Sequence, residues 1–203
     1  MEPQVFLGNP DSSVAVVVVF WAVFYIWIAS ELFLGWRLTR RKSNAAVDRD
    51  AGSKWILIGA IWVGTALGLS LAVAFPVLAT QQHRHLLLAA GISIALLGMG
   101  LRWYSIWFLG QSFTCEVSTR SDQKVVDSGP YRWFRHPSYT GGLLTVAGLL
   151  LCSTNVLAFA GLLVAIPGYG YRIRVEEGVI TQELGEPYRE YMKRTKRLIP
   201  FLV

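Results

Sequence analysis

Long apolar runs alternate with short, strongly polar blocks along this chain, and their lengths set the first expectations. Val14 to Trp36 carries only Glu31 as an ionisable group, near its end, and Trp55 to Leu78 carries none. Each exceeds the roughly 20 residues a helix needs to cross a bilayer. Leu86 to Leu109 is a third run, broken by Arg102 about two turns from its end, which either snorkels or turns inward. Beyond a polar block, Tyr139 to Ser153 and Asn155 to Tyr171 read as a tight helical hairpin joined around Thr154, each arm short for a span. The pattern predicts an all-α membrane bundle of about five transmembrane helices. The polar start, MEPQVFLGNPDSS, and a first apolar run too long for a signal-peptide core argue against a cleavable signal.

Composition supports the membrane class: 53% hydrophobic and 16% charged residues, with a mean hydropathy of +0.43, do not describe a soluble domain of 203 residues. Charge gives the orientation. Arg37, Arg40, Arg41, Lys42, Arg49 and Lys54 follow the first run, and Arg120, Lys124, Arg132 and Arg135 follow the third. Arg172, Arg174, Arg189, Lys193, Arg194, Lys196 and Arg197 follow the fifth. With five spans, one side holds 17 of the 19 Lys and Arg, leaving Arg84 opposite and Arg102 within a span. The positive-inside rule makes that side cytoplasmic and puts the N-terminus outside. The net charge of +6 reflects this asymmetry, not nucleic-acid binding. No repeat or linker divides the chain, so residues 1–203 form one domain: two N-terminal helices within 1–78 and a core from 86 to 203.

The expected chemistry gathers at the basic end. Gly129 to Gly142, GPYRWFRHPSYTGG, sets two Tyr, two Arg and a His beside membrane helices, where polar groups face a ligand, a headgroup or water. An interfacial anchor, with Trp133 and Phe134 at headgroup depth, is the plainer explanation. Gly110 to Ser138 and the tail from Arg172 are each too short to bury a core, so they pack on each other and share a site. In the tail, Arg172 and Glu176 stand four apart on one helical face, able to grip one ligand or simply to pair. Glu177 falls on another face and is expected to be solvated. Gly185 and Pro187 end that helix before a basic amphipathic one from about Tyr188 to Arg197, expected to lie along the inner leaflet. Trp103 and Trp107, one turn apart, suit a lipid-facing doorway. Gly98 and Gly100 suit close helix approach. His83 and His85 lack a third ligand nearby, so no metal site is expected, and Cys115 and Cys152 fall near opposite faces, out of disulfide reach.

GPYRWFRHPSYTGG, the following hairpin, R-x3-EE, LGEPYREY and a terminal RLIPF together resemble the isoprenylcysteine carboxyl methyltransferase family, with parts shared by phospholipid methyltransferases. The resemblance runs from about Leu101 to Val203. It implies a helical membrane bundle with a cytoplasmic cap enclosing S-adenosyl-L-methionine and a lipophilic acceptor arriving from the bilayer. It places Gln123, Lys124, Val125, Val126, Tyr131, His136, Pro137, Ser138, Tyr139 and Glu176 at the cofactor and Arg172 at the acceptor, with Arg172 and Glu176 as the catalytic pair; Trp103 and Trp107, by their spacing alone, are expected beside the entering acceptor. A further cofactor glutamine of the family would fall near Glu116, which does not match.

Methyl transfer from a sulfonium is an in-line displacement, so positioning in a dry site supplies much of the acceleration and no metal is needed. A carboxylate acceptor is already ionised at neutral pH and needs only orienting, as by an Arg172 fork. A phospholipid amine would also need a base, for which Glu176 and His136 are the candidates. Two other classes compete. Sterol-type reductases bind NADPH in a similar cap but place an Arg-Asp pair where Glu176 and Glu177 stand, and two carboxylates suit a 2′-phosphate poorly. A non-enzymatic membrane subunit would tolerate loss of Arg172 and Glu176.

Overall fold

The computed structural model describes residues 14–39, 52–110 and 125–198. Six α-helices follow in order: α1 (Val14–Thr39), α2 (Ser53–Ala74), α3 (Arg84–Leu109), α4 (Pro137–Leu151), α5 (Ala160–Leu184) and α6 (Glu186–Arg194). Short 3-10 turns at Pro76–Leu78, Gly129–Arg132 and Val156–Phe159 interrupt the connections. Four segments, Val14–Arg37, Ser53–Ala74, Arg84–Leu109 and Val156–Leu184, are long and apolar enough to cross a membrane, and Pro137–Leu151 is a shorter apolar helix between them. The chain is an integral, multi-pass membrane protein.

Local chemistry explains where the two site-bearing helices begin and end. Pro137 occupies the first turn of α4, where its missing N–H is one that no helix would satisfy. His136, just before it, leaves the helical region with φ −123°, as the residue before proline tends to. The helix α5 stops at Gly185, whose φ of +60° suits glycine. Pro187 then lies in the first turn of α6.

The expected hairpin is corrected in one respect. Its arms, α4 and α5, pack chiefly against other helices: α4 runs along α3, and α5 along α2. Glycine permits both approaches. A Cβ on Gly98 of α3 would lie 2.6 Å from the Gly141 carbonyl oxygen of α4, and one on Gly64 of α2 would lie 2.5 Å from that of Gly161 in α5. In lipid there is little hydrophobic drive between helices, so such backbone contact carries much of the packing. Gly100 faces open space and takes no part. Phe20, Val23 and Trp27 bring α1 into a core shared with Ala72, Leu88, Ala95, Met99, Val146 and Leu149.

The two ends of the bundle are closed differently. At the far end, Asn155 donates to the Phe75 carbonyl at 2.8 Å and the Thr80 amide donates to Thr154 at 2.9 Å, tying the two loops together. At the basic end, residues 195–198 run beside 134–140: the Arg135 and His136 amides donate to the Lys196 and Arg197 carbonyls at 2.7 and 3.0 Å, and the Thr140 hydroxyl donates to Leu198 at 2.6 Å. Exposed Trp36, Trp55, Trp107 and Trp133 cluster on the elements of this end, as interfacial tryptophans do.

Gly98→Val should lower stability by about 1–3 kcal/mol, because the added side chain must push α4 from α3. Gly100→Ala should leave it unchanged or slightly raised. Thermal unfolding in detergent reads both, and equal effects would contradict the packing described.

Candidate functional site

At the basic end, α4 and α5 bring the HPSY turn against the Arg-x3-Glu-Glu segment. The Tyr139 hydroxyl donates to Glu176 Oε2 at 2.7 Å and accepts from Arg172 Nε at 3.1 Å. Arg172 and Glu176 are thus joined through a phenol inserted between them. Arg172 is buried, and its Nη1 donates to Ser53 Oγ, at the start of α2, at 2.7 Å. Glu176 keeps 27% of its side chain exposed, so its carboxylate opens outward from an otherwise buried cluster. The His136 ring stacks on Tyr139, centroids 5.4 Å apart and 13° between planes, with Nδ1 3.9 Å from Glu176 Oε2.

Glu177 is corrected from a solvated residue to a buried hub. It accepts from Arg135 Nε at 2.8 Å and Arg197 Nε at 3.0 Å, and its Oε1 lies 3.2 Å from His136 Nε2. Its side chain is only 7% exposed. The reason is the strap: residues 195–198 fold back over the HPSY turn and carry Arg197 to a carboxylate that helical position alone would send outward. Arg135 is bound into the strap as well, donating to the Met192 carbonyl at 3.1 Å and the Thr195 carbonyl at 2.5 Å. The carboxylate thereby gains the several charged partners a buried anion requires.

The helix α6 turns Tyr188 and Tyr191 inward, buried against the cap. The Tyr191 hydroxyl donates to the Tyr131 carbonyl at 2.6 Å, and the Tyr131 hydroxyl reaches the Ser105 carbonyl at 3.3 Å. Burial raises the Tyr131, Tyr188 and Tyr191 phenols above their ordinary range, with Glu176 adding to the effect on Tyr131. All three stay protonated donors at neutral pH. The outer face of α6 carries the ion pairs Lys193 to Glu190 and Arg189 to Glu186.

The other expected residues divide clearly. Pro137 and Ser138 are buried in the first turn of α4. Val125 and Val126 are half-buried just ahead of Asp127, which Arg194 holds at 2.6 Å. Gln123, Lys124, Glu116 and Cys115 lie outside the described residues. Trp103 stacks on Phe33 of α1 at 5.8 Å and Trp107 on Tyr104 at 6.4 Å, which places them on the outer side of α3 rather than in the polar cluster. His83 and His85 are exposed at the far end, and Cys152 is a buried thiol. Among the described residues no group of three or more His, Cys, Asp or Glu is arranged to hold a metal ion.

Sequence reasoning missed three partners. Arg102 turns inward: its Nε and Nη2 donate to Glu31 of α1 at 2.5 and 2.7 Å, and its Nη1 donates to the Ser138 carbonyl at 3.3 Å. Glu31, lone in an apolar run, was the one available signal, since a membrane carboxylate wants a cation at similar depth. Ser53 and Arg197 gave no signal, being an ordinary serine and one of many tail cations.

Comparison with known proteins bears on this geometry. Residues 90–182 match the isoprenylcysteine carboxyl methyltransferase (ICMT) family. That match covers 93 of the 203 residues. Protein-S-isoprenylcysteine O-methyltransferase B of Arabidopsis thaliana is 35% identical over 117 residues, covering 55% of this chain and 58% of that protein. The Tribolium castaneum protein-S-isoprenylcysteine O-methyltransferase is 33% identical over 123 residues, covering 58% of this chain and 43% of its own. The chain thus spans about half the length of these relatives. A probable rice homologue, from Oryza sativa subsp. japonica, is 26% identical across 91% of this chain and 95% of its own. The eukaryotic intramembrane Ras methyltransferase ICMT shares the fold, with a TM-score of 0.50 and 24% identity over 75% of this chain and 51% of that one. The matched segment contains Arg102, the HPSY turn, Arg172, Glu176 and Glu177. It excludes Glu31, Ser53 and Arg197.

Glu177→Gln should destabilise the protein by about 3 kcal/mol, because it strips a buried carboxylate from Arg135 and His136. Arg197→Ala, at a half-exposed partner, should cost under about 1 kcal/mol. Unfolding midpoints, together with trypsin cleavage after Lys196 and Arg197, check the pair. A Glu177→Gln protein with unchanged midpoint and unchanged protection of the strap would contradict the hub.

Proposed function

We propose that this protein is an S-adenosylmethionine-dependent methyltransferase that esterifies the carboxylate of a membrane-embedded, prenylcysteine-like amphiphile. The observation that carries the reading is the Arg172, Tyr139 and Glu176 relay: one cation and one anion held at opposite sides of a single phenol. A two-substrate site needs such an arrangement, with the anion for a positively charged donor and the cation for a carboxylate. The ICMT match of residues 90–182 and the names of the relatives support the same reaction.

The donor set suits the cofactor. Glu176, opening outward, offers a carboxylate to hydroxyl or ammonium groups, and Tyr131, His136 and Tyr139 add rings and hydrogen-bonding atoms beside it. Val125 and Val126, with Gln123 and Lys124 before them, would meet the nucleoside, and Pro137 and Ser138 hold the turn that presents Tyr139. When bound, S-adenosylmethionine supplies an electrophilic methyl group on a sulfonium. Arg172 orients the acceptor carboxylate for in-line approach, and its guanidinium is itself held by Tyr139 and Ser53. Because an ionised carboxylate needs no base, His136 is left to stack on Tyr139 and to brace Glu177. The buried surroundings of Arg172 exclude water and strengthen its pull on an anion.

The basic end, with its exposed tryptophans, faces the cytoplasm in this reading, and the N-terminus lies outside. The acceptor's hydrophobic tail enters from the bilayer, where Trp107 and the Trp103 and Phe33 stack line the outer side of α3. Partition then selects long apolar tails before any polar contact forms.

Calorimetry on detergent-purified protein should show S-adenosylmethionine binding that Glu176→Ala weakens at least about tenfold, as expected for lost hydrogen bonds to a charged group. Arg172→Lys should spare that binding but lower methyl transfer to N-acetyl-S-farnesylcysteine by about tenfold or more. NADPH binding would favour a reductase, transfer to a phosphatidylethanolamine instead would favour a lipid amine acceptor, and full activity in both variants would remove the relay from catalysis. A reporter that works only in the cytoplasm should be active when fused after Val203, and activity there of a reporter that works only on the opposite side would reverse the orientation.

A further inference from the structure

Two helices outside the ICMT-matched segment reach into its polar cluster, and one of them touches the proposed acceptor residue directly. Ser53 is the first residue of α2, following Gly52, whose φ of +72° turns the chain sharply. The N-cap is Gly52, and a serine just inside a helix start is ordinarily exposed. Here it is 0% exposed, and its Oγ accepts from Arg172 Nη1 across 119 positions of sequence.

We infer that Ser53 is a positioning residue for acceptor recognition, fixing the plane in which Arg172 presents its guanidinium to a carboxylate. The inference rests on the methyltransferase reading. A guanidinium recognises a carboxylate through a planar fork, so its value depends on orientation as well as charge. The Tyr139 hydroxyl holds the group at Nε. The Ser53 hydroxyl holds it at Nη1 as well, and two points on a rigid plane together with the arginine stem define the orientation of that plane. The anchors come from different helices, α4 and α2, and α2 packs along α5, the helix that carries Arg172. Gly64 and Gly161 hold that pair in backbone contact, so the distance from Ser53 to Arg172 follows from packing deep in the bundle. The Tyr139 and Ser53 groups are hydroxyls, which hold the guanidinium without adding a negative charge of their own. An aspartate in place of Ser53 would form an ion pair and compete with the acceptor.

The test uses the full chain in detergent, with Ser53→Ala, Ser53→Thr and Ser53→Asp variants. Two readouts are made: the KM for N-acetyl-S-farnesylcysteine, and the ratio of binding affinities for that acid and its methyl ester. Ser53→Ala should raise the KM and shrink the acid-to-ester ratio, each by about tenfold, the scale of one hydrogen bond to a charged group. S-adenosylmethionine affinity should stay as in the unaltered protein. Ser53→Thr should retain most of both values, and Ser53→Asp should bind the acid worst. An unchanged ratio in Ser53→Ala would overturn the inference. So would an equal loss of acid, ester and cofactor binding with a lowered unfolding midpoint, which marks a packing role. If the unaltered chain bound the acid over the ester yet transferred no methyl group, the enzymatic reading would fail while the ratio still tested Ser53.

Discussion

Ionisable groups inside a bilayer must find partners, and that single requirement organises the basic end of this protein. An unpaired arginine or carboxylate at such depth is heavily penalised, while a paired one locks two helices together. Every long helix enters the resulting network. Glu31 of α1 holds Arg102 of α3, which reaches the Ser138 carbonyl of α4. Tyr139, one residue on, meets Arg172 and Glu176 of α5, and Arg172 reaches Ser53 of α2. The far end is closed, among the described residues, by Asn155 and backbone hydrogen bonds. Apolar packing sets the helices side by side, and the polar network fixes their register.

The two modes of packing depend on each other. Charged pairs tolerate little error in distance, and the glycine contacts of α3 with α4 and of α2 with α5 leave little slack. Gly98 meets Gly141 one turn from Arg102 and Ser138, so the close approach that lipid packing favours is also what brings Arg102 to the Ser138 carbonyl. A bundle held apart by larger residues would leave these groups bridged by water, in an environment where the proposed chemistry needs dryness.

The sequence made the spans legible because apolar runs have a length that can be counted. It also marked the Tyr139, Arg172 and Glu176 cluster, since rare polar residues beside spans invite a shared explanation. Partners distant in sequence were a different matter. Glu31 and Arg102 lie 71 positions apart, and Ser53 and Arg172 lie 119 apart; neither separation leaves a period to detect. Glu177 misled for a related reason: helical phase sends it away from Glu176, and only the returning strap turns that direction into an interior. The pairing of α4 with α3, rather than with its hairpin neighbour α5, lay in glycines whose partners the one-dimensional pattern does not name.

Tyr139 is the economical choice for the centre of such a site. A direct salt bridge between Arg172 and Glu176 is geometrically natural at four residues' spacing, and it would satisfy both charges at once. It would also spend each on the other. A phenol that accepts from the arginine and donates to the carboxylate satisfies one bond of each while remaining neutral. The phenol thus separates the two charges without adding one of its own, which suits the proposed two-substrate site. Phenylalanine would remove the bridge and let the pair close, whereas histidine would add a titrating charge between them. Glu177 applies the opposite solution nearby: there the two arginines and His136 close fully on the carboxylate, and the result is a fastening for the strap rather than a binding group. Adjacent glutamates on one helix thus take different roles because one is answered by a neutral hydroxyl and the other by charge.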